Sequence, residues 1–117
     1  MTTQYDCIIA GAGLAGFAAA TGAALSGAKV LLLDKLNSAG GSAVYALTPV
    51  LSGWGKNAPE YAVGKMLADE LKAMDAYEWR VNRIVTDEDS LQAAMISILK
   101  KCVRVEKSVV MASLFVL

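Results

Sequence analysis

The sequence predicts an α/β fold with a small parallel sheet, and three features of its first third lead to this prediction. Residues 5–10 are an apolar run, typical of a strand that is buried on both faces, as in parallel sheets. The Ala-rich stretch over residues 14–25 favours a helix, and Ser26-Gly27 supplies a stop. Residues 29–34 are a second apolar run, so the three together have the length of one right-handed parallel crossover.

Composition indicates one folded domain and excludes several kinds of site. The chain has 117 residues, of which 56% are hydrophobic, and its 11 basic residues balance 11 acidic ones. Without a net charge, nothing draws it to nucleic acid or to an anionic membrane. With no histidine and only two cysteines, the sequence contains no Ser-His-Asp triad, no imidazole zinc site and no four-thiolate site. We therefore expect no metal, and the low cysteine content favours a reducing, cytoplasmic compartment.

The middle of the chain is less regular. Ser42 is expected to cap a short helix over residues 42–47, because a serine oxygen can accept a hydrogen bond from a free amide at a helix start. Residues 48–57 contain a proline and two glycines and are expected to form a loop. Residues 59–74 open with a proline and carry apolar side chains at helical spacing, which predicts a helix.

The last part of the chain predicts a helix followed by a strand. Residues 76–84 give no clear signal. Thr86 is expected to form a capping box with Asp89. Residues 91–102 carry apolar side chains on one helical face and form the clearest amphipathic helix in the chain. Residues 103–117 then alternate and continue as an apolar run, which predicts strand.

A G-x-G-x-x-G motif lies between the first predicted strand and the first predicted helix, at residues 11–16. Gly11 allows a tight turn, Gly13 leaves the backbone open to a pyrophosphate, and Gly16 lets the helix pack closely on the strand. Free N–H groups at the helix start favour the negative charge of such a ligand. This order of elements predicts a dinucleotide site. The alternative is that the glycines act only as spacers in helix packing.

An acidic residue at the end of the second predicted strand completes the pattern. Asp34 follows Gly11 by 23 residues, where a carboxylate can accept hydrogen bonds from ribose hydroxyls. The same charge would repel a 2′-phosphate, which disfavours NADP. The spacing does not separate FAD from NAD, and a solvated strand end is the non-functional alternative.

Residues 5–34, followed by Gly40-Gly41, resemble the N-terminus of FAD-dependent oxidoreductases of the glutathione-reductase-like superfamily. The segment GGSAVYALTPVLSGWG is similar to the one that follows in a group of these flavoproteins. DEDSLQAAMISILKKCVRVEKSVV is similar to their helix leading into a third strand. The resemblance implies FAD as cofactor and a Rossmann-like, three-layer βαβ fold, here incomplete.

The resemblance also implies which residues bind the cofactor. The glycines of the motif would face the FAD pyrophosphate, and Asp34 would bind the adenosine ribose. Gly40 and Gly41 would leave room for the cofactor. Most family members have Glu at the position of Asp34, and the shorter acid can still accept both hydroxyls. The expected cofactor-binding residues are Gly11, Ala12, Gly13, Leu14, Ala15, Gly16, Asp34, Lys35, Gly40, Gly41 and Ser42.

The function implied is that of an FAD-binding N-terminal segment of an FAD-dependent oxidoreductase. Residues 1–117 would be a partial FAD/NAD(P)-binding domain that anchors the ADP part of FAD. Complete members are several hundred residues long, so we expect a truncated fragment that is not catalytic alone, and we assign no catalytic residue. Uncovered sheet edges would then favour self-association. The alternatives are a non-catalytic module that binds NAD or FAD and, disfavoured by the clustered glycines, a membrane peptide over residues 7–28.

Overall fold

The computed structural model describes residues 4–36, 38–52, 62–104 and 109–113. These parts of the chain form two three-stranded sheets, one parallel with the strand order β1-β2-β6 and one antiparallel with the order β3-β5-β4. The α/β class and the small parallel sheet are therefore confirmed. In chain order the elements are β1 (Cys7–Ala10), α1 (Leu14–Leu25), β2 (Val30–Asp34), α2 (Ser42–Tyr45), β3 (Val50–Ser52), α3 (Ala62–Ala73), β4 (Glu78–Arg80), β5 (Arg83–Val85), α4 (Glu88–Arg104) and β6 (Val109–Ser113).

The parallel sheet has β2 at its centre. Strand β1 pairs with β2 along its whole length, and β6 pairs with the other side of β2. Val30 and Leu32 of β2 are fully buried. Ile8 of β1 lies on the opposite face of the sheet and is 63% exposed. Among the described strands, β1 pairs only with β2, and self-association through such an edge stays a prediction.

The helices supply most of the core. α1 packs against all three strands of the parallel sheet and against α3 and α4. Its buried face includes Phe17, and the buried face of α4 includes Leu91, Met95 and Ile98. The amphipathic helix predicted over residues 91–102 is therefore confirmed, and it leads into the third strand as the resemblance implied. Burial of such faces provides most of the stability of helices of this length.

The prediction that strand begins at residue 103 was wrong, since α4 continues to Arg104. Two alternating residues are too few to outweigh a helix that already has 15 residues before position 103. Extending a helix fixes only one residue for each hydrogen bond gained, whereas starting one fixes three. Residues 105–108 and 114–117 lie outside the described residues, as does the predicted helix start at Pro59.

The antiparallel sheet was not predicted. Strand β3 falls within the expected loop, and its Leu51 is buried opposite Ile84 of β5. Strands β4 and β5 form a hairpin with a two-residue turn, in which Val81 and Asn82 have φ angles of 26° and 65°. Such turns require positive φ at both positions, and valine is an untypical residue there. This is why residues 76–84 gave no clear signal.

The two predicted side-chain caps were also wrong. The N-cap of α2 is Gly41, so Ser42 is the first helical residue and its hydroxyl does not cap. α4 begins at Glu88, and the Ser90 N–H donates to Asp87 Oδ1 at 2.8 Å. The carboxylate of Asp87 therefore caps in place of the Thr86 hydroxyl, because hydrogen bonds to a charged acceptor are stronger. The buried Thr86 Oγ1 has no hydrogen-bond partner among the described residues.

Replacing Asp87 with alanine is expected to lower the free energy of unfolding by about 1 kcal/mol at pH 7, the usual loss for a helix N-cap. The hydrogen bond from the Ser90 N–H lowers the pKa of Asp87. Its contribution is thus complete above the unfolded-state pKa of about 3.9 and is lost as pH falls through the lower folded-state pKa. Urea unfolding from pH 7 down to pH 2 measures both effects. Asp87→Asn should keep the cap without this pH dependence, and an equal loss in both variants at pH 7 would contradict capping by Asp87.

The alternative membrane peptide, residues 7–28, forms a strand, a turn and the 12-residue helix α1. Throughout the described ranges, no helix combines the length and apolar character needed to cross a membrane.

Candidate functional site

The glycine motif forms the turn between β1 and α1. Gly11 has a φ of 105°, a conformation that L-residues rarely adopt, and its N–H donates to the Leu33 carbonyl at 2.6 Å. A Cβ added at Gly11 would meet nothing within 4 Å. The backbone conformation, and not lack of space, therefore requires glycine at this position.

Gly16 is required for a different reason. A Cβ added there would lie 2.8 Å from the Gly11 carbonyl carbon and still closer to its oxygen. Real Cβ atoms essentially never approach backbone atoms within 3.0 Å. The first turn of α1 thus rests directly on the glycine turn, as the motif predicted, and no side chain larger than hydrogen fits between them.

Gly40 and Gly41 pack on the glycine motif at residues 11–16. The Gly40 N–H donates to the Ala12 carbonyl at 2.9 Å. Gly41 has a φ of 59°, and a Cβ added there would lie 2.7 Å from the Gly13 Cα. The turn before α2 and the turn before α1 therefore touch through backbone atoms, so the two predicted glycine segments lie side by side.

The start of α1 is left available to an anion. Gly13 is the N-cap, no side chain in the described parts of the chain caps the helix, and its first turn has no acidic residue. The Gly13 carbonyl accepts the first helical hydrogen bond, from Phe17 N–H at 2.8 Å. N–H groups in the first turn of a helix have no intrahelical partner and carry the positive end of the helix dipole. A phosphate is a suitable partner for them.

Asp34 lies at this turn and is bound to its backbone. The Ala12 N–H donates to Asp34 Oδ2 at 2.6 Å, and the Leu36 N–H donates to Oδ1 at 2.7 Å. The carboxylate is half-buried at the end of β2. Each of its oxygens has a second lone pair, so the group can still accept hydrogen bonds from two hydroxyls. The site therefore combines amide donors with a carboxylate acceptor, the set that a phosphate next to a sugar needs.

The remaining sequence-predicted residues lie in or next to these segments and differ in exposure. Ala12 is fully buried, Leu14 is half-buried and Ala15 is exposed. Lys35 and Ser42 are exposed, the first beside Asp34 and the second at the start of α2.

Gln92 of α4 was missed by sequence reasoning. Its Nε2 donates to the Ala39 carbonyl at 2.9 Å and lies 3.3 Å from the Tyr45 hydroxyl. The Tyr45 hydroxyl in turn donates to the Ser38 carbonyl at 3.4 Å. Nothing in the spacing links Gln92 to Ala39, since 53 residues separate them. The only signal was a polar residue beside the apolar face of the amphipathic helix.

We assign no role in this site to the two cysteines. Cys7 is half-buried within β1, and Cys102 is buried on α4. Burial raises the pKa of the Cys102 thiol, the direction opposite to that of a reactive thiolate.

The chain is similar to flavoproteins. A family model described as FAD dependent oxidoreductase matches residues 6–113. The crystal structure of Thermovibrio ammonificans THI4 shares 20% sequence identity over 92% of this chain and 38% of that chain, with a TM-score of 0.57. Oxidized steroid monooxygenase bound to NADP shares 17% over 93% of this chain and 19% of that chain, with a TM-score of 0.53. The chain thus spans well under half the length of either structure, and no curated protein matches it.

Proposed function

The chain belongs to the FAD dependent oxidoreductase family, whose cofactor is FAD, and we propose that its glycine turn and Asp34 hold the ADP part of that cofactor. The observation that carries the proposal is the 2.6 Å hydrogen bond from the Ala12 N–H to Asp34 Oδ2. It brings the carboxylate of β2 to the amides at the start of α1. A diphosphate and its neighbouring ribose need these two groups side by side.

The residues present fit a diphosphate, and Gly13 is the best indicator. Its φ of −72° is open to any residue, and a Cβ there would be only in ordinary contact, 3.6 Å from the Gly41 Cα. The fold requires glycine at positions 11 and 16 but does not require it at 13. Close approach of a ligand to the backbone supplies the missing reason.

The residues of this chain would bind and orient one end of the cofactor. Amides of the α1 start would face the pyrophosphate, and the free lone pairs of Asp34 would accept hydrogen bonds from the ribose. When bound, FAD supplies the redox chemistry of the family. Among the described residues we assign anchoring and no catalytic side chain, since the groups at the turn are backbone amides and one carboxylate already engaged with two of them.

Titration of the 117-residue chain with FAD, ADP and FMN tests the proposal. FAD and ADP are expected to compete for one site, because both contain the adenosine diphosphate. FMN lacks adenosine and is expected not to displace FAD at tenfold excess. Isothermal calorimetry and flavin fluorescence measure these affinities. Displacement by FMN as effective as by ADP would contradict it, and binding of NAD without FAD would favour the alternative non-catalytic NAD module.

A second test uses the charge of Asp34. Adenosine 2′,5′-bisphosphate is expected to bind about tenfold more weakly than AMP, because the carboxylate repels the added phosphate. In Asp34→Asn the difference should largely disappear, since the side-chain amide carries no charge. Its single oxygen can still accept from the Ala12 N–H, while the Leu36 N–H loses its acceptor. An unchanged difference in that variant would remove Asp34 from the site.

A further inference from the structure

One peptide group next to the site is held from both sides. The peptide between Ala39 and Gly40 accepts a hydrogen bond on its carbonyl from Gln92 Nε2 at 2.9 Å. The N–H of the same peptide donates to the Ala12 carbonyl, also at 2.9 Å. Both Ala39 and Gly40 are buried, so water does not easily replace either bond. Gln92 therefore fixes the plane of a peptide that itself contacts the glycine turn.

The next link reaches an amide of the site. The Ala12 carbonyl belongs to the same peptide group as the Gly13 N–H. A hydrogen bond accepted by a carbonyl polarises the N–H of its own peptide and strengthens it as a donor. The chain of bonds thus runs from Gln92 through Gly40 and Ala12 to Gly13, the glycine that the fold alone does not explain.

Gln92 is itself held firmly. Its neighbour on the chain, Leu91, is fully buried, as is Met95 one turn further along α4. The second N–H of the side-chain amide faces the Tyr45 hydroxyl, which donates onward to the Ser38 carbonyl. Both donors of the amide are therefore used, and the side chain has one orientation that satisfies them.

Ala12 is consequently clamped at both of its polar atoms. Asp34 accepts a hydrogen bond from its N–H, and Gly40 donates one to its carbonyl. The first clamp comes from the adjacent strand β2. The second depends on α4, more than 50 residues further along the chain.

We propose that Gln92 is a positioning residue for diphosphate binding, which orients the Ala39–Gly40 peptide and, through it, the Gly13 N–H. This inference rests on the proposed function, because it assigns Gln92 to the site that would hold FAD. Gln92 does not touch the cofactor in this role. It sets the direction and donor strength of an amide that does.

The test replaces Gln92 with methionine, which has nearly the same length and shape but no N–H donor. FAD affinity is expected to fall roughly fivefold, the effect of one hydrogen bond. The amide proton resonances of Gly40 and Gly13 in 15N-labelled protein without ligand are expected to shift. Tyr45→Phe removes the hydroxyl from a side chain that is 46% exposed, and it should cause smaller changes in the same direction.

Asp87→Ala is the matched control on the same helix. It weakens the start of α4 but leaves the hydrogen-bond chain intact, so FAD affinity should stay within twofold and both resonances should stay in place. A fivefold loss of affinity in Asp87→Ala would mean that Gln92 acts only through the stability of α4. Unchanged resonances and affinity in Gln92→Met would overturn the inference.

Failure of the proposed function has a different signature. If the unmodified chain binds neither FAD nor ADP, the proposed function is wrong and the role of Gln92 in binding is wrong with it. If the unmodified chain binds FAD and Gln92→Met binds it equally well, only the role of Gln92 is wrong.

Discussion

Replacing Gly16 with alanine is expected to destabilise the fold more than any other single methyl group added to the glycine motif. The new Cβ would lie inside the contact distance of the Gly11 carbonyl group, and both groups belong to the backbone. Relief requires α1 to move away from the end of β1, which opens the core around Phe17. We expect a loss of about 3 kcal/mol or more in the free energy of unfolding, at the upper end for overpacking. Since small domains have a total stability of about 5–15 kcal/mol, this loss would be a large fraction of the total.

Urea unfolding followed by circular dichroism measures this loss, and Gly22→Ala is the control. Gly22 lies in the same helix, and a Cβ added there would meet nothing within 4 Å. That variant should gain about 0.5–1 kcal/mol, because alanine favours helix over glycine. A Gly16→Ala protein as stable as Gly22→Ala would show that the turn and the helix are not in the contact described.

Replacing Gly13 with alanine is expected to separate binding from folding. Its φ suits alanine and its Cβ would make only an ordinary contact with Gly41, so the free energy of unfolding should change by less than about 1 kcal/mol. A methyl group at the start of α1 would keep a pyrophosphate from the amides. FAD affinity should therefore fall by about 10- to 100-fold, or about 1.4–2.8 kcal/mol.

Calorimetric titration with FAD, beside urea unfolding of the same preparation, checks both parts of this expectation. Ala19→Ser serves as a control, since this residue is exposed on the same helix but lies outside the glycine motif and the expected cofactor-binding residues. Affinity in Gly13→Ala equal to that of the unmodified chain would place the diphosphate elsewhere. A loss of stability as large as that of Gly16→Ala would mean that the fold, and not a ligand, requires glycine at position 13.

Sequence reasoning correctly predicted the elements whose structure is determined by their own residues. The helix over residues 14–25 matches α1 at both ends, and β1 and β2 fall within the predicted strands. Continuous apolar runs and an Ala-rich helix need little information from elsewhere in the chain. Strands β3, β4 and β5 have three residues each, and long-range pairing, such as that of Leu51 with Ile84, decides their existence.

The candidate site was likewise predictable only where local sequence determines it. The order of strand, glycines, helix and acid predicted which residues matter at one end of the sheet. It did not predict that Asp34 would bind the Ala12 N–H, because that contact depends on the register of β1 against β2. It also could not reveal the contact of Gly41 with Gly13 or the reach of Gln92, since both depend on how separate segments pack.

The pairing of β1 with β2 has a consequence for how the chain selects its native alignment. Ala10 stands opposite Leu33, and this places the turn within reach of the carboxylate that follows. A slip of two residues, the smallest that keeps each side chain on its own face, would move the turn by about 7 Å. A misaligned sheet would bury nearly the same apolar surface, but the glycine turn would no longer lie beside the carboxylate of Asp34. Cofactor binding would thus favour the native strand alignment, because its binding energy is gained only in the correctly aligned sheet.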